Sequence, residues 1–195
     1  MTVINMRSRI LEVASRLFEE RGIHGSGVDT IIAEAGIAKA TLYKHFASKD
    51  TLVKAFLRNK ADAFYDWLRS GLRNRDLKPS EQLVYICDLL EQWILTPQFK
   101  GLPFHIATVE FPDPAHPIHQ FSVNLAEELQ QYLAEIAAEA GVQDAMALCQ
   151  QLTMIFEGAA LIERLHPGSG AASRAKSAAV IVIRAALTKT AAVAV

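Results

Sequence analysis

Residues 26–46 read S-G-V-D-T-I-I-A-E-A-G-I-A-K-A-T-L-Y-K-H-F, and their spacing describes two short helices joined by a tight turn. Ile31, Ile32 and Ala35 recur at helical intervals, Gly36 supplies the turn residue, and Ile37 and Leu42 are apolar positions that lock a second helix across the first. Such a pair is a helix-turn-helix: the second helix, here residues 39–45, lies in the major groove of duplex DNA while the first crosses the backbone. Lys39, Thr41, Tyr43, Lys44 and His45 place cationic and hydroxyl donors on two turns with almost nothing acidic among them. Leu42 and Phe46 read as core.

Outward from this pair, residues 6–21 form a preceding helix with Ile10, Leu11, Ala14, Leu17 and Phe18 on one face, stopped at Gly22. Ser26 and Asp29 have the S-x-x-D spacing of a capped helix start. Ser48 caps a longer helix over residues 49–74, whose stripe is Leu52, Val53, Phe56, Leu57, Ala63, Phe64, Trp67 and Leu68.

The turn glycine alone is a weak signal, but T-L-Y-K-H-F-x-S-K-D from Thr41 to Asp50 is specific. With it, residues 9–57 resemble the DNA-binding domain of the TetR/AcrR family of bacterial transcriptional repressors. The resemblance implies that Tyr43, His45 and Lys49 contact phosphates while Lys39, Ala40, Thr41 and Lys44 face base edges. Two departures stand out. Gly27 occupies a place where the family commonly has a hydroxyl residue, and Ala38 one where it often has a serine N-cap. Without that cap the recognition helix loses roughly 1 kcal/mol locally, so it frays more easily when free and firms on DNA.

The bulk numbers agree with a basic head on an acidic body. Net charge is only −1, yet residues 1–75 carry 13 Lys and Arg against 8 Asp and Glu, whereas residues 76–195 carry 7 against 13. Hydrophobic residues make up 51%, enough for a core with a surplus for a subunit interface. Cys87 and Cys149 lie far apart within apolar helical patterns and read as buried thiols of a reducing cytoplasm. The first residues lack a signal-peptide core, and the apolar run 178–183 stops at Arg184, so no membrane span is expected.

The body begins with a chain break at residues 76–79 and a helix over residues 80–95. Prolines at 97, 103, 112, 114 and 117 then permit only short helical pieces, among dense aromatic rings. Apolar rings beside a few polar groups on irregular backbone suit a small-molecule pocket, lined by Trp93, Phe104, His105, Glu110, Phe111, Phe121 and Phe156. This segment also looks like the ligand-binding domain of a TetR subgroup that often carries G-C-P-F. Here Gly101-Leu102-Pro103-Phe104 stands in that place, so no thiol function is available. His105, Glu110, Asp113, His116 and His119 have metal-ligand chemistry, but their spacing matches no firm metal signature and reads as caps and surface groups; no metal or cofactor is expected.

Helices over residues 118–140, 144–165 and 171–187 complete the chain. The second is apolar nearly all round and must be covered on two sides. With the small residues Gly158, Ala159, Ala179 and Ala186, the last two helices look like half of a four-helix dimer interface.

The sequence therefore predicts an all-α chain of about nine helices: a three-helix DNA-binding head (1–48), a connecting helix (49–75) and a ligand-binding and dimerisation body (76–195). The resemblance implies a cytoplasmic homodimeric repressor that binds a palindromic operator and is released by a small hydrophobic or aromatic effector, the connecting helix acting as lever. The alternatives are a DNA-binding regulator without small-molecule control, a metal-responsive regulator, and a helical enzyme. Against the last, no G-x-S-x-G, H-E-x-x-H, phosphate-loop or dinucleotide motif is present.

Overall fold

The computed structural model describes residues 5–73, 75–97 and 99–193. Among the described residues there are nine helices and no strand: α1 (Met6–Arg21), α2 (Val28–Ala35), α3 (Lys39–His45), α4 (Lys49–Arg73), α5 (Pro79–Ile94), α6 (Pro103–Glu110), α7 (Pro117–Glu139), α8 (Ala145–Leu165) and α9 (Ala171–Val193). The all-α architecture expected from the sequence is thus observed. Two compact units divide the chain. One runs to Asp62 and takes in Pro103–Leu125, and the other joins Ala63–Leu102 to the residues from Ala126 onward.

In the first unit α1 starts at Asn5, whose side chain accepts the Arg7 amide at 3.1 Å. Its buried face is Ile10, Ala14, Leu17 and Phe18, and Phe18 meets Phe56 of α4 edge-on at 5.3 Å. The turn between α2 and α3 is a Schellman motif. Gly36 takes φ 62°, its amide bonds to Ala33 O at 3.2 Å, and the Ile37 amide bonds to Ile32 O at 3.2 Å. Glycine adopts that left-handed geometry without the Cβ penalty. Arg16 and Arg21 of α1 both pair with Glu34 of α2.

One expectation about α2 is corrected. Ser26 does not cap it; the N-cap is Gly27 and has no side-chain bond. The buried Ser26 hydroxyl instead donates to Leu17 O at 3.0 Å and to Gly22 O at 2.8 Å. The hydroxyl shares its single proton between two carbonyls at the end of α1, and turned that way its oxygen accepts no amide of α2. Ser48 does cap α4, accepting the Thr51 amide at 3.1 Å.

In the second unit Pro79 occupies the first turn of α5, where its missing N–H is not needed, and Glu81 reaches back to the Lys78 amide at 2.9 Å. Leu83, Ile86, Cys87, Leu89 and Ile94 form the buried face of α5. In the α4 stripe Ala61 is buried and Ala63 exposed, the reverse of the pattern expected for Ala63. Helices α5, α8 and α9 pack on one another. Lys176 of α9 ties to α5 through Asp88 at 2.7 Å and Glu91 at 2.8 Å. The buried Glu163 of α8 accepts the amides of Gly168 at 3.1 Å and Ala172 at 3.3 Å, closing the α8–α9 turn.

Helix α9 continues beyond residue 187 because its alanine-rich end contains no glycine or proline to stop it. Helix α8 corrects the membrane reading in one respect. It is long and apolar enough to cross a membrane by length and composition. Its Leu148, Cys149, Leu152, Phe156, Ala159 and Ala160 are nevertheless buried in this unit.

Candidate nucleic-acid interface

Helix α3 is a seven-residue rod held by one edge. Leu42 is 0% exposed and Phe46, just past its end, is fully buried, which fixes the helix on the core of the first unit. The remaining residues of α3 lie toward solvent: Lys39, Ala40, Tyr43 and Lys44 are exposed, and Thr41 and His45 are half-buried. Tyr43 is 43% exposed, unusual for a ring with a neighbouring core to join. No acid lies in the first turn of α3, while Lys44 and His45 occupy its last.

Two cations expected at the interface have protein partners. Lys39 Nζ lies 3.3 Å from Asp29 Oδ1 in an open ion pair, an arrangement worth about 0–1 kcal/mol and readily exchanged for a phosphate or base partner. Lys49 donates from Nζ to Ile23 O at 2.7 Å. Burial pulls its ammonium below the usual lysine range, against the opposing pull of Glu110 and Asp50. Arg7 lies over the Phe46 ring at 4.8 Å. Ala38 offers no side-chain cap to α3, as its methyl dictates.

The residues read as a ligand pocket have these positions. In the first unit Phe104 is buried and meets His105 edge-on at 4.8 Å. Phe111 lies between His24 at 4.5 Å and His116 at 4.7 Å. Phe121 faces the cations of Lys54 at 5.8 Å and Arg58 at 5.6 Å. Glu110 has both carboxylate oxygens engaged by main-chain amides of the loop between α1 and α2. In the second unit Phe156 is buried on α8, and Trp93 contacts Phe64 at 5.0 Å, Trp67 at 6.3 Å and Phe99 at 4.7 Å. Phe64 and Trp67 of α4 join Trp93 in a cluster that the aromatic-rich segment alone does not mark, and no sequence pattern marks His24.

The candidate metal-binding residues have partners within the chain. His119 Nδ1 lies 2.7 Å from Phe111 O, His116 Nδ1 accepts the Ile118 amide at 3.1 Å, and Asp113 accepts the Ala115 amide at 2.9 Å. Among the described residues no three His, Cys, Asp or Glu side chains gather around one point.

Comparison with known proteins finds similar sequences and folds among bacterial regulators. Residues 10–56 match the family model described as "Bacterial regulatory proteins, tetR family". The chain is 40% identical over 67 residues to the HTH-type transcriptional activator FasR of Mycolicibacterium smegmatis, covering 34% of this chain and 31% of that one. It is 35% identical over 112 residues to the HTH-type transcriptional repressor KstR2 of Mycobacterium tuberculosis, covering 55% and 49%. The matches thus span about a third to a half of the length of these relatives. Its fold is similar to that of SCO4454, a TetR-family transcriptional regulator from Streptomyces coelicolor, with a TM-score of 0.79 at 28% identity over 95% of this chain and 89% of that one.

Proposed function

We propose that this chain, which belongs to the TetR family of bacterial regulatory proteins, represses transcription as a homodimer that reads an inverted-repeat operator and releases it when a small apolar effector binds. The observation that carries the reading is α3 itself: donors from Lys39, Tyr43 and Lys44 project outward while Leu42 and Phe46 anchor the opposite edge. A lysine donates to guanine O6 and N7, and Ala40 contacts a thymine methyl. Tyr43, His45 and Lys49 serve the phosphates, Lys49 by exchanging or sharing its bond to Ile23 O.

Dimerisation is supported by the uncovered side of α8. Met154, Gly158, Leu161 and Leu165 follow one helical stripe and are exposed, Met154 at 67%, and Ile181 of α9 is 69% exposed. A stripe of that composition left in water is unfavourable and suits an isologous contact with a second copy. Two recognition helices then stand ~34–36 Å apart, one turn of DNA. The half-buried aromatic group of Trp67, Trp93 and Phe99 supports an apolar effector, and α4, whose residues divide between the two units, is the connection along which it acts. The effector must bind the DNA-misfit state more tightly, since equal affinity shifts nothing.

Selection of bound duplexes from a random pool tests the reading. It predicts an inverted repeat with half-sites one turn apart. Enrichment of single, unpaired half-sites by a monomeric protein overturns the dimer, and no enrichment overturns the operator.

A further inference from the structure

We infer that Glu110 is a positioning residue for the DNA-binding helices, acting by filling an anion cradle in the loop between α1 and α2. The cradle starts at Gly22, which ends α1 with φ 77°. The next two amides converge on one carboxylate: Ile23 N donates to Glu110 Oε1 at 3.1 Å and His24 N to Oε2 at 2.9 Å. Successive amides that converge in this way form an anion-binding concavity. A Cβ at Gly22 would lie 3.3 Å from Oε2, so the loop closes tightly on the carboxylate.

Three further contacts fasten the same corner. His24 Nε2 lies 2.8 Å from the Glu110 carbonyl oxygen, and the His24 ring lies against Phe111, which in turn stacks on His116. Lys49 Nζ holds the Ile23 carbonyl at 2.7 Å, and its charge attracts Glu110. Ile23 is only 3% exposed, so its amide has little water to turn to if the carboxylate is withdrawn.

What the loop controls is the start of α2. Four residues after His24, α2 begins at Val28 with no side-chain cap of its own. Its position is therefore set upstream, by the Ser26 hydroxyl on Leu17 and Gly22 and by Glu110 on Ile23 and His24. Helix α3 follows through the rigid Gly36 turn. The carboxylate at the end of α6 thus holds the entry to the helix pair, a role that bears on DNA only through the reading of α3 given above.

The test compares wild type with Glu110→Ala and the near-isosteric Glu110→Gln, by residue-resolved amide hydrogen exchange and by affinity for a fixed mixed-sequence duplex. Glu110→Ala should speed exchange at Ile23 and His24 by about tenfold or more, with α8 amides unchanged, and weaken duplex binding several-fold. Glu110→Gln should fall between. Sodium formate, against sodium chloride at equal ionic strength, should slow exchange at those two amides in Glu110→Ala and leave wild type unaltered. Exchange at Ile23 and His24 within twofold of wild type overturns the proposal. So does a uniform acceleration that includes α8, which marks a general loss of stability, or an absence of formate rescue. If wild type binds no duplex, the functional reading fails while the exchange data still judge the cradle.

Discussion

Tyr43, Lys44 and Lys39 are all exposed in the first unit, and the proposed reading gives Tyr43 and Lys44 different duties. A tyrosine hydroxyl toward phosphate adds affinity without sequence information, whereas a lysine at base edges adds discrimination. Tyr43→Ala should therefore weaken binding to all duplexes alike, and Lys44→Ala should change preference at particular base pairs, by about 1–3 kcal/mol for each lost contact. Equal, sequence-blind losses in a binding-site scan would remove Lys44 as a reader. The two cysteines behave in the opposite way. Burial pushes the Cys87 thiol up to about 12 and Cys149 to about 11, so neither supplies a thiolate near neutrality. Alkylating reagents should modify the native protein at pH 8 far more slowly than the denatured chain, as read by mass spectrometry; rapid native labelling would contradict this.

At the scale of single elements, α3 and the pair α8 and α9 carry separate predictions. Replacing Ala38 with Ser supplies the missing cap and should stabilise α3 by roughly 1 kcal/mol, seen as slower amide exchange in its first turn with α1 unchanged. Leu161→Glu places a charge on the uncovered stripe of α8, at a side chain that is 50% exposed in the single chain. Sedimentation should show monomers with unchanged helicity, and a dimer that persists would move the interface elsewhere. Most of these elements were legible in the sequence because their signals are local. The bounds of α1 and α3, the Gly36 turn and the buried Leu42 and Phe46 all follow from spacing and turn chemistry. What was not legible depends on partners outside the local motif. Ser26 has the spacing of a cap, but the carbonyls of Leu17 and Gly22 claim its hydroxyl. Glu110 reads as a pocket group in the sequence, and its bonds to the amides of Ile23 and His24, remote in sequence, carry no local signal.

For the molecule as a whole, charge placement ties stability to pH at both ends. The hydrogen bond and charge of Arg16 hold Glu34 below its ordinary value of 4.5, and Lys176 does the same for Glu91. Burial pushes Glu163 upward, but amide and Ser169 hydrogen bonds outweigh it and leave its carboxyl lowered too. Groups with lowered folded values contribute stability above pH 4.5 and lose it as pH falls through those values. The raised thiols act at the other end: unfolded cysteine ionises from its ordinary value of 9.0 and the folded thiols later, so stability falls as pH rises past 9. Urea denaturation from pH 3 to 10 should show a plateau bounded by both declines. The excess of Lys and Arg over residues 1–75, against the excess of Asp and Glu over residues 76–195, supports the proposed DNA contact at the first of these. The most direct test of that central claim is the affinity for duplex DNA as salt is raised from 50 to 200 mM, for wild type and Tyr43→Ala. Neutralising several phosphates predicts a steep linear fall of log K with log salt, with weaker binding by the variant throughout; binding that ignores salt, or that the variant leaves untouched, would contradict it.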